Sequence, residues 1–140
     1  MTNVAITTRA GKGSELTHAE MDANLTNLKA AADAAAVATR VVSATTTATL
    51  TVNADTTDVS ILTAQVGALT IANPTGTPVS SQPLLIEVKG DGGAISYGTQ
   101  FVNRGATKPA TATAAKWIRI GCEWNASAAT WDVIAVIAEA

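Results

Sequence analysis

The chain has 140 residues, 47% of them hydrophobic but only 4% aromatic, and 14% charged with a net charge of −2. That length suits one domain with an appended element, and the small, balanced charge argues against nucleic acid as a partner. The single cysteine, Cys122, excludes an intrachain disulfide framework and a cysteine-built metal cluster.

Much of the apolar content is alanine, which adds little to a core, whereas a buried Val, Leu or Ile contributes about 1.5–3 kcal/mol. Part of the stability is therefore expected from subunit contacts. Residues 1–14 lack the apolar stretch of a secretory signal. No run approaches the roughly 18 apolar residues of a membrane span. The expectation is a soluble product made in a cytoplasm, with no membrane partner.

In chain order, residues 1–16 are polar, contain Gly11-Lys12-Gly13-Ser14, and read as an extended, flexible attachment arm. Residues 17–43 read as one helix. Thr17 followed by Glu20 fits a capping box, and the alanine-rich run Lys29–Ala36 has high helix propensity. Met21, Leu25, Leu28, Ala32, Ala35, Thr39 and Val42 follow a 4-3 rhythm, the seam of a coiled coil. Met21, Leu25, Leu28, Ala32, Ala35 and Val42 are thus the candidate oligomer interface. The alternative is a helix packed on its own β-domain. The seam weakens to alanine in its second half, so a bundle needs a second element holding the chains together.

Residues 48–140 alternate short β-branched runs with Gly, Pro, Asn and Asp, the pattern of an all-β domain. Strands are expected at 49–52, 59–62, 68–72, 84–89, 95–97, 117–124 and 131–137. Turns are expected at 73–78 and 90–93. In the last strand, Val133 and Ile137 are read as facing one way and Ile134 and Val136 the other, so that the strand is apolar on both faces. Residues 98–116 show no regular element, with Phe101 and Val102 expected to anchor them in the core. The expected fold is mainly β: an N-terminal α-helix, forming a trimeric coiled coil, followed by a small antiparallel β-sandwich.

Reactive chemistry is sparse. His18, the single histidine, falls in the first turn of the helix without a positioned partner. Cys122 alternates with Ile118, Ile120 and Trp124 and reads as a small buried hydrophobe. Glu87, Glu123 and Asp132 could form a glycosidase pair, but the aromatic platforms that accompany such sites are scarce. No catalytic, cofactor-binding or metal-ligating residues are assigned. Trp124 and Trp131 flank a plausible hairpin loop at 125–130, where the rings could meet across the ladder. They are read either as core or interface rings or as contacts for a host surface glycan.

The segment Gly11-Lys12-Gly13-Ser14-Glu15-Leu16-Thr17-His18-Ala19-Glu20-Met21-Asp22-Ala23-Asn24-Leu25-Thr26-Asn27-Leu28 resembles one near the N-termini of tailed-phage fibre and virion proteins. The common form often has proline at the position of Glu15 and an aromatic residue at those of His18 and Leu25. A second resemblance covers Asn53–Asp58, Leu69–Pro78, Gln82–Ile86 and Trp131–Val133, which are similar to a β-domain recurring in phage structural proteins.

The two resemblances imply a trimeric, non-enzymatic virion subunit whose N-terminal part attaches to other capsid or tail proteins. A capsid-attached short fibre, spike base or decoration subunit is the first expectation. A tail-associated small fibre or a glycan-binding adhesin is the alternative.

Overall fold

The computed structural model describes residues 7–35 and 38–140, apart from a few side chains within α1 and at the end of α2. The protein is mainly β with one long N-terminal helix. Two compact units are present, residues 1–38 and residues 39–140. None of the described helices is long and apolar enough to cross a membrane.

In the first unit, a short helix α1 (Arg9–Lys12) precedes α2 (His18–Ala35). The arm, residues 1–16, was expected to be extended, and in residues 7–16 it differs. It contains α1, and Thr7 is held at both its backbone groups by one side chain. Thr7 N–H donates to Asn24 Oδ1 (2.9 Å), and Asn24 Nδ2 donates to Thr7 O (2.8 Å). The amide of Asn24 thereby supplies the donor–acceptor pair that a neighbouring strand would. Residues 1–6 of the arm lie outside the described residues.

The capping box forms as the sequence predicts. Glu20 N–H donates to Thr17 Oγ1 (3.2 Å) and Thr17 N–H donates to Glu20 Oε2 (2.7 Å), so two free donors at the helix start are satisfied reciprocally. Lys29 and Asp33, one turn apart, add an exposed ion pair. The expected helix to residue 43 is corrected at its end, because Val41–Ala44 form a strand. The β-branched pair Val41-Val42 favours an extended backbone. Arg40 fixes the entry: its N–H donates to Asp58 Oδ2 (2.9 Å) and its Nε to the same oxygen (3.0 Å). Val42 therefore belongs to a sheet and not to the helix seam.

The second unit carries nine strands: β1 (Val41–Ala44), β2 (Thr49–Leu50), β3 (Val59–Leu62), β4 (Leu69–Ile71), β5 (Pro83–Lys89), β6 (Ile95–Tyr97), β7 (Phe101–Asn103), β8 (Trp117–Asn125) and β9 (Thr130–Ala138). They form a six-stranded sheet in the order β1-β3-β5-β8-β9-β7 and a three-stranded sheet in the order β2-β4-β6.

The expected antiparallel arrangement holds only for β5-β8-β9. The pairs β1–β3, β3–β5, β2–β4, β4–β6 and β7–β9 are parallel. The chain makes three successive turns, each giving one strand to each sheet beside the strand before it. A parallel bridge between Asn53 and Thr75 extends the stacking past β2. Only β8 and β9 are joined by a tight hairpin, which makes them antiparallel.

Register explains the core. Leu62, Val88 and Ile118 stand in one row, and Ser60, Ile86 and Ile120 in the next, all buried. On the second sheet Leu50 pairs with Ile71, and Leu69 with Ile95. Both sheets contribute to one buried cluster, with Trp131 and Phe101 its largest members.

A β-bulge changes the reading of β9. Gly121 faces Ala135 and Cys122 faces Val133, leaving Ile134 unpaired. One extra residue reverses the alternation beyond it. Val133 is buried, Val136 packs against the core, and Ile137 is exposed, so Val133 and Ile137 do not share a face as expected.

Candidate interaction surfaces

Helix α2 divides its surface unevenly. Glu20, Asn24, Asn27 and Ala31 are half-buried, while Met21, Leu25 and Leu28 are 40%, 66% and 51% exposed. At 3.6 residues per turn the second set lies about 100° round the helix from the first. Ala32 continues the stripe and is also exposed. Ala35 closes the helix, and its side chain lies outside the described residues. The arm contact through Asn24 thus uses one face and leaves the apolar stripe uncovered. Val42, the last member of the expected interface, is half-exposed on β1.

The two tryptophans meet as expected but differ in burial. Trp124 and Trp131 are directly paired across β8 and β9, with ring centroids 5.3 Å apart. Trp131 also faces Phe101 on β7 and is 1% exposed. Turned into the core cluster and enclosed there, Trp131 has no face left for a sugar, so of its two readings the core one holds and glycan contact does not. Strand β5 begins at Pro83 opposite Glu123, so Trp124 has a paired strand residue on one side only and stays half-buried.

Beside Trp124 lies a groove of about 250 Å³ lined by Ser80, Ser81, Glu123, Asn125 and Asp132. The 79–82 turn is fixed onto β8: Ser81 N–H donates to Trp124 O (3.0 Å) and Trp124 N–H donates to Gln82 O (2.9 Å). Ser81 sits in the left-handed region (φ 62°), a conformation that costs a non-glycine residue free energy and needs such anchoring.

Asp132 is already engaged. It accepts from Asn125 Nδ2 (3.0 Å) and Thr130 Oγ1 (2.8 Å), with Arg104 Nε at 3.5 Å. The Asn125 amide, the Thr130 hydroxyl and Arg104 hold its carboxyl below the usual carboxylate range. Among the polar groups of the groove, Ser80, Ser81 and Glu123 are exposed.

A second depression of about 310 Å³ is lined by Glu87, Trp117, Arg119, Ile137 and Glu139. Arg119 Nε lies 3.0 Å from Glu87 Oε1, and Trp117 N–H donates to Glu139 Oε2 (2.8 Å). Its charged groups are engaged within the protein, Glu87 with Arg119 and Glu139 with a backbone N–H. The acids weighed for hydrolysis are thus divided: Glu87 faces this depression, while Glu123 and Asp132 face the groove at Trp124.

Cys122 is buried as expected, and burial pushes its thiol up to about 12, so the thiolate needed for nucleophilic work is not populated near neutrality. His18 belongs to the first unit and Cys122 to the second. No group of three or more His, Cys, Asp or Glu side chains among the described residues is arranged to hold a metal ion.

The groove was missed from sequence, because Ser80 and Ser81 come from a turn far upstream of Trp124 and no spacing rule links them. The chain matches no protein-family model, no curated protein and no solved structure.

Proposed function

We propose that the chain is a non-enzymatic structural subunit of a phage-type particle: a trimeric short head fibre, spike base or capsid decoration protein. The observation that carries this reading is the uncovered apolar stripe of Met21, Leu25 and Leu28 on α2. Three such stripes packed about a common axis form a parallel coiled coil, each covering the others. The preceding residues, up to the α1 region, attach the subunit to neighbouring capsid or tail proteins. The β unit is a compact, low-charge body.

Immunogold labelling with antibody to residues 48–140, applied to particles from a lysate that contains the protein, tests the reading. Gold on the capsid supports a head fibre or decoration subunit, and gold on the tail supports a tail-associated small fibre. Particles without gold would refute both.

The groove at Trp124 favours a second reading, an adhesin for host surface glycan. A half-covered indole beside exposed serines and a carboxylate offers a stacking face and hydrogen-bonding groups. Trp124→Ala is expected to abolish glycan-array binding while the far-UV spectrum is retained. Binding that survives the substitution would remove this reading.

A further inference from the structure

Two sheets have four edges, and in residues 39–140 three of them are closed. On β2, Thr49 gives both its outward backbone groups to one hydroxyl: its N–H donates to Thr47 Oγ1 (3.2 Å), and Thr47 Oγ1 donates to Thr49 O (2.7 Å). The β6 edge is covered by residues 109–112. Ile95 N–H donates to Ala110 O (2.7 Å), Gly92 N–H to Ala112 O (2.9 Å), and the Tyr97 hydroxyl to Pro109 O (2.9 Å). On β7, Phe101 N–H donates to Gly98 O (3.1 Å) and Lys108 Nζ donates to Phe101 O. A lysine laid over an edge strand opposes further pairing.

Strand β1 has no such cover. Arg40 O accepts from Val59 N–H and Ala44 O from Thr63 N–H. The alternation of the ladder therefore turns the backbone groups of Val42 and Ala44 toward β3, and those of Val41 and Ser43 away from it. These outward groups have no protein partner among the described residues. The side chains agree. Val42 heads the row of Ser60, Ile86 and Ile120. The other three are buried, yet Val42 is 49% exposed because no strand lies beyond it.

We propose that β1 pairs with β1 of a second copy of this chain, antiparallel, with Val42 opposite Val42. Edge-to-edge addition needs an open edge on each partner, and among the described residues of a second copy that edge is again β1. Centred on Val42, the pairing sets Val41 against Ser43 of the other copy and Ser43 against its Val41. The outward N–H and C=O groups of both chains then meet in hydrogen-bonded pairs. Residues 41–44 carry no charge, and Arg40 is held by Asp58, so like charges are not brought together. The contact is separate from the helix stripe and adds to the trimer a means of joining one assembly to another.

A full-length Val42→Cys variant under mild oxidation tests this. Residues opposite one another at a non-hydrogen-bonded antiparallel site have Cα atoms about 4.5 Å apart, within disulfide range. Val41→Cys is equally exposed, but it faces the other side of the sheet, and its counterpart in the second copy is displaced along the strand beyond the roughly 7 Å limit. Native Cys122 is buried and does not compete.

The expected result is conversion of the Val42→Cys monomer band to a species of twice the 14.1 kDa chain mass, with no such conversion for Val41→Cys. Adding Ser43→Pro removes an outward N–H without touching the ladder to β3, and is expected to abolish the linkage. The linkage should persist when Leu25→Asp and Leu28→Asp disrupt the helix stripe. Absence of linking, equal linking of both cysteine variants, insensitivity to Ser43→Pro, or loss in the Leu25→Asp/Leu28→Asp background would each overturn the pairing.

Discussion

In residues 39–140 the largest buried side chains, Trp131, Phe101, Leu62 and Ile86 among them, form one cluster shared by two sheets, while Val66, Val79, Ile134 and Ile137 stay exposed. In residues 7–35 the arrangement is inverted. Met21, Leu25 and Leu28 are exposed, and the contacts that organise the unit are polar: Asn24 on Thr7, Thr17 with Glu20, Lys29 with Asp33. Exposed polar contacts of this kind contribute about 1 kcal/mol or less each, and an exposed i,i+4 ion pair only a few tenths, while a buried aliphatic side chain contributes about 1.5–3 kcal/mol. The β unit therefore carries its own hydrophobic stabilisation, whereas no described residue of 7–35 belongs to a buried apolar cluster.

The contrast is sharpened most by substitutions inside the β core. Trp131→Ala is expected to destabilise the β unit by about 3–5 kcal/mol, read as a large drop in the denaturation midpoint followed through the remaining tryptophans. A loss under 1 kcal/mol would mean that the ring is not a core element.

Acid comes next. Asp58 is held below the usual carboxylate range by hydrogen bonds from the Arg40 side chain and backbone, and Asp91 by the backbone N–H groups of Gly67 and Gly93. Asp132 is held down in the same way by Asn125, Thr130 and Arg104. Groups whose folded pKa is depressed contribute stability that is present above the unfolded value of about 3.9 and lost as pH falls through the folded one. Thermal melts of the β unit should be unaffected by these groups from pH 7 to about 5 and fall steadily below pH 4. A melting temperature that rises on acidification would contradict the assignment.

The smallest expected effect lies in the helical unit. Thr17→Ala removes the cap and is expected to cost about 1 kcal/mol of helix stability, seen as reduced helical ellipticity with the β core unaltered. A matching loss in the β core would show that the two units do not behave as the contrast requires.

The sequence made some of this legible and hid the rest for physical reasons. Alternation located Val59–Leu62, Leu69–Ile71, Pro83–Lys89, Ile95–Tyr97 and the β8–β9 pair to within a residue or two, because each has one face in the core. It missed β1, since Thr39 and Val42 happen to continue the helix rhythm, and β7, which is three residues long. Parallel stacking was hidden by unequal turn lengths: Val41 pairs with Val59, and Val59 in turn with Leu85, so no fixed period appears. The stripe on α2 was visible in the 4-3 spacing, and a core or interface role for Trp124 and Trp131 was one of the two readings the sequence left open, but not which of the two rings is enclosed. Which member of a cross-strand tryptophan pair is enclosed depends on β7 and on where β5 begins.

Light scattering of the Ser43→Pro variant, whose β1 edge is closed, tests most directly whether the α2 stripe is a self-association surface. The predicted mass is three times the 14.1 kDa chain, falling to one chain when Leu25→Asp and Leu28→Asp are added. A single-chain mass for Ser43→Pro alone, with the fold intact by circular dichroism, would contradict it.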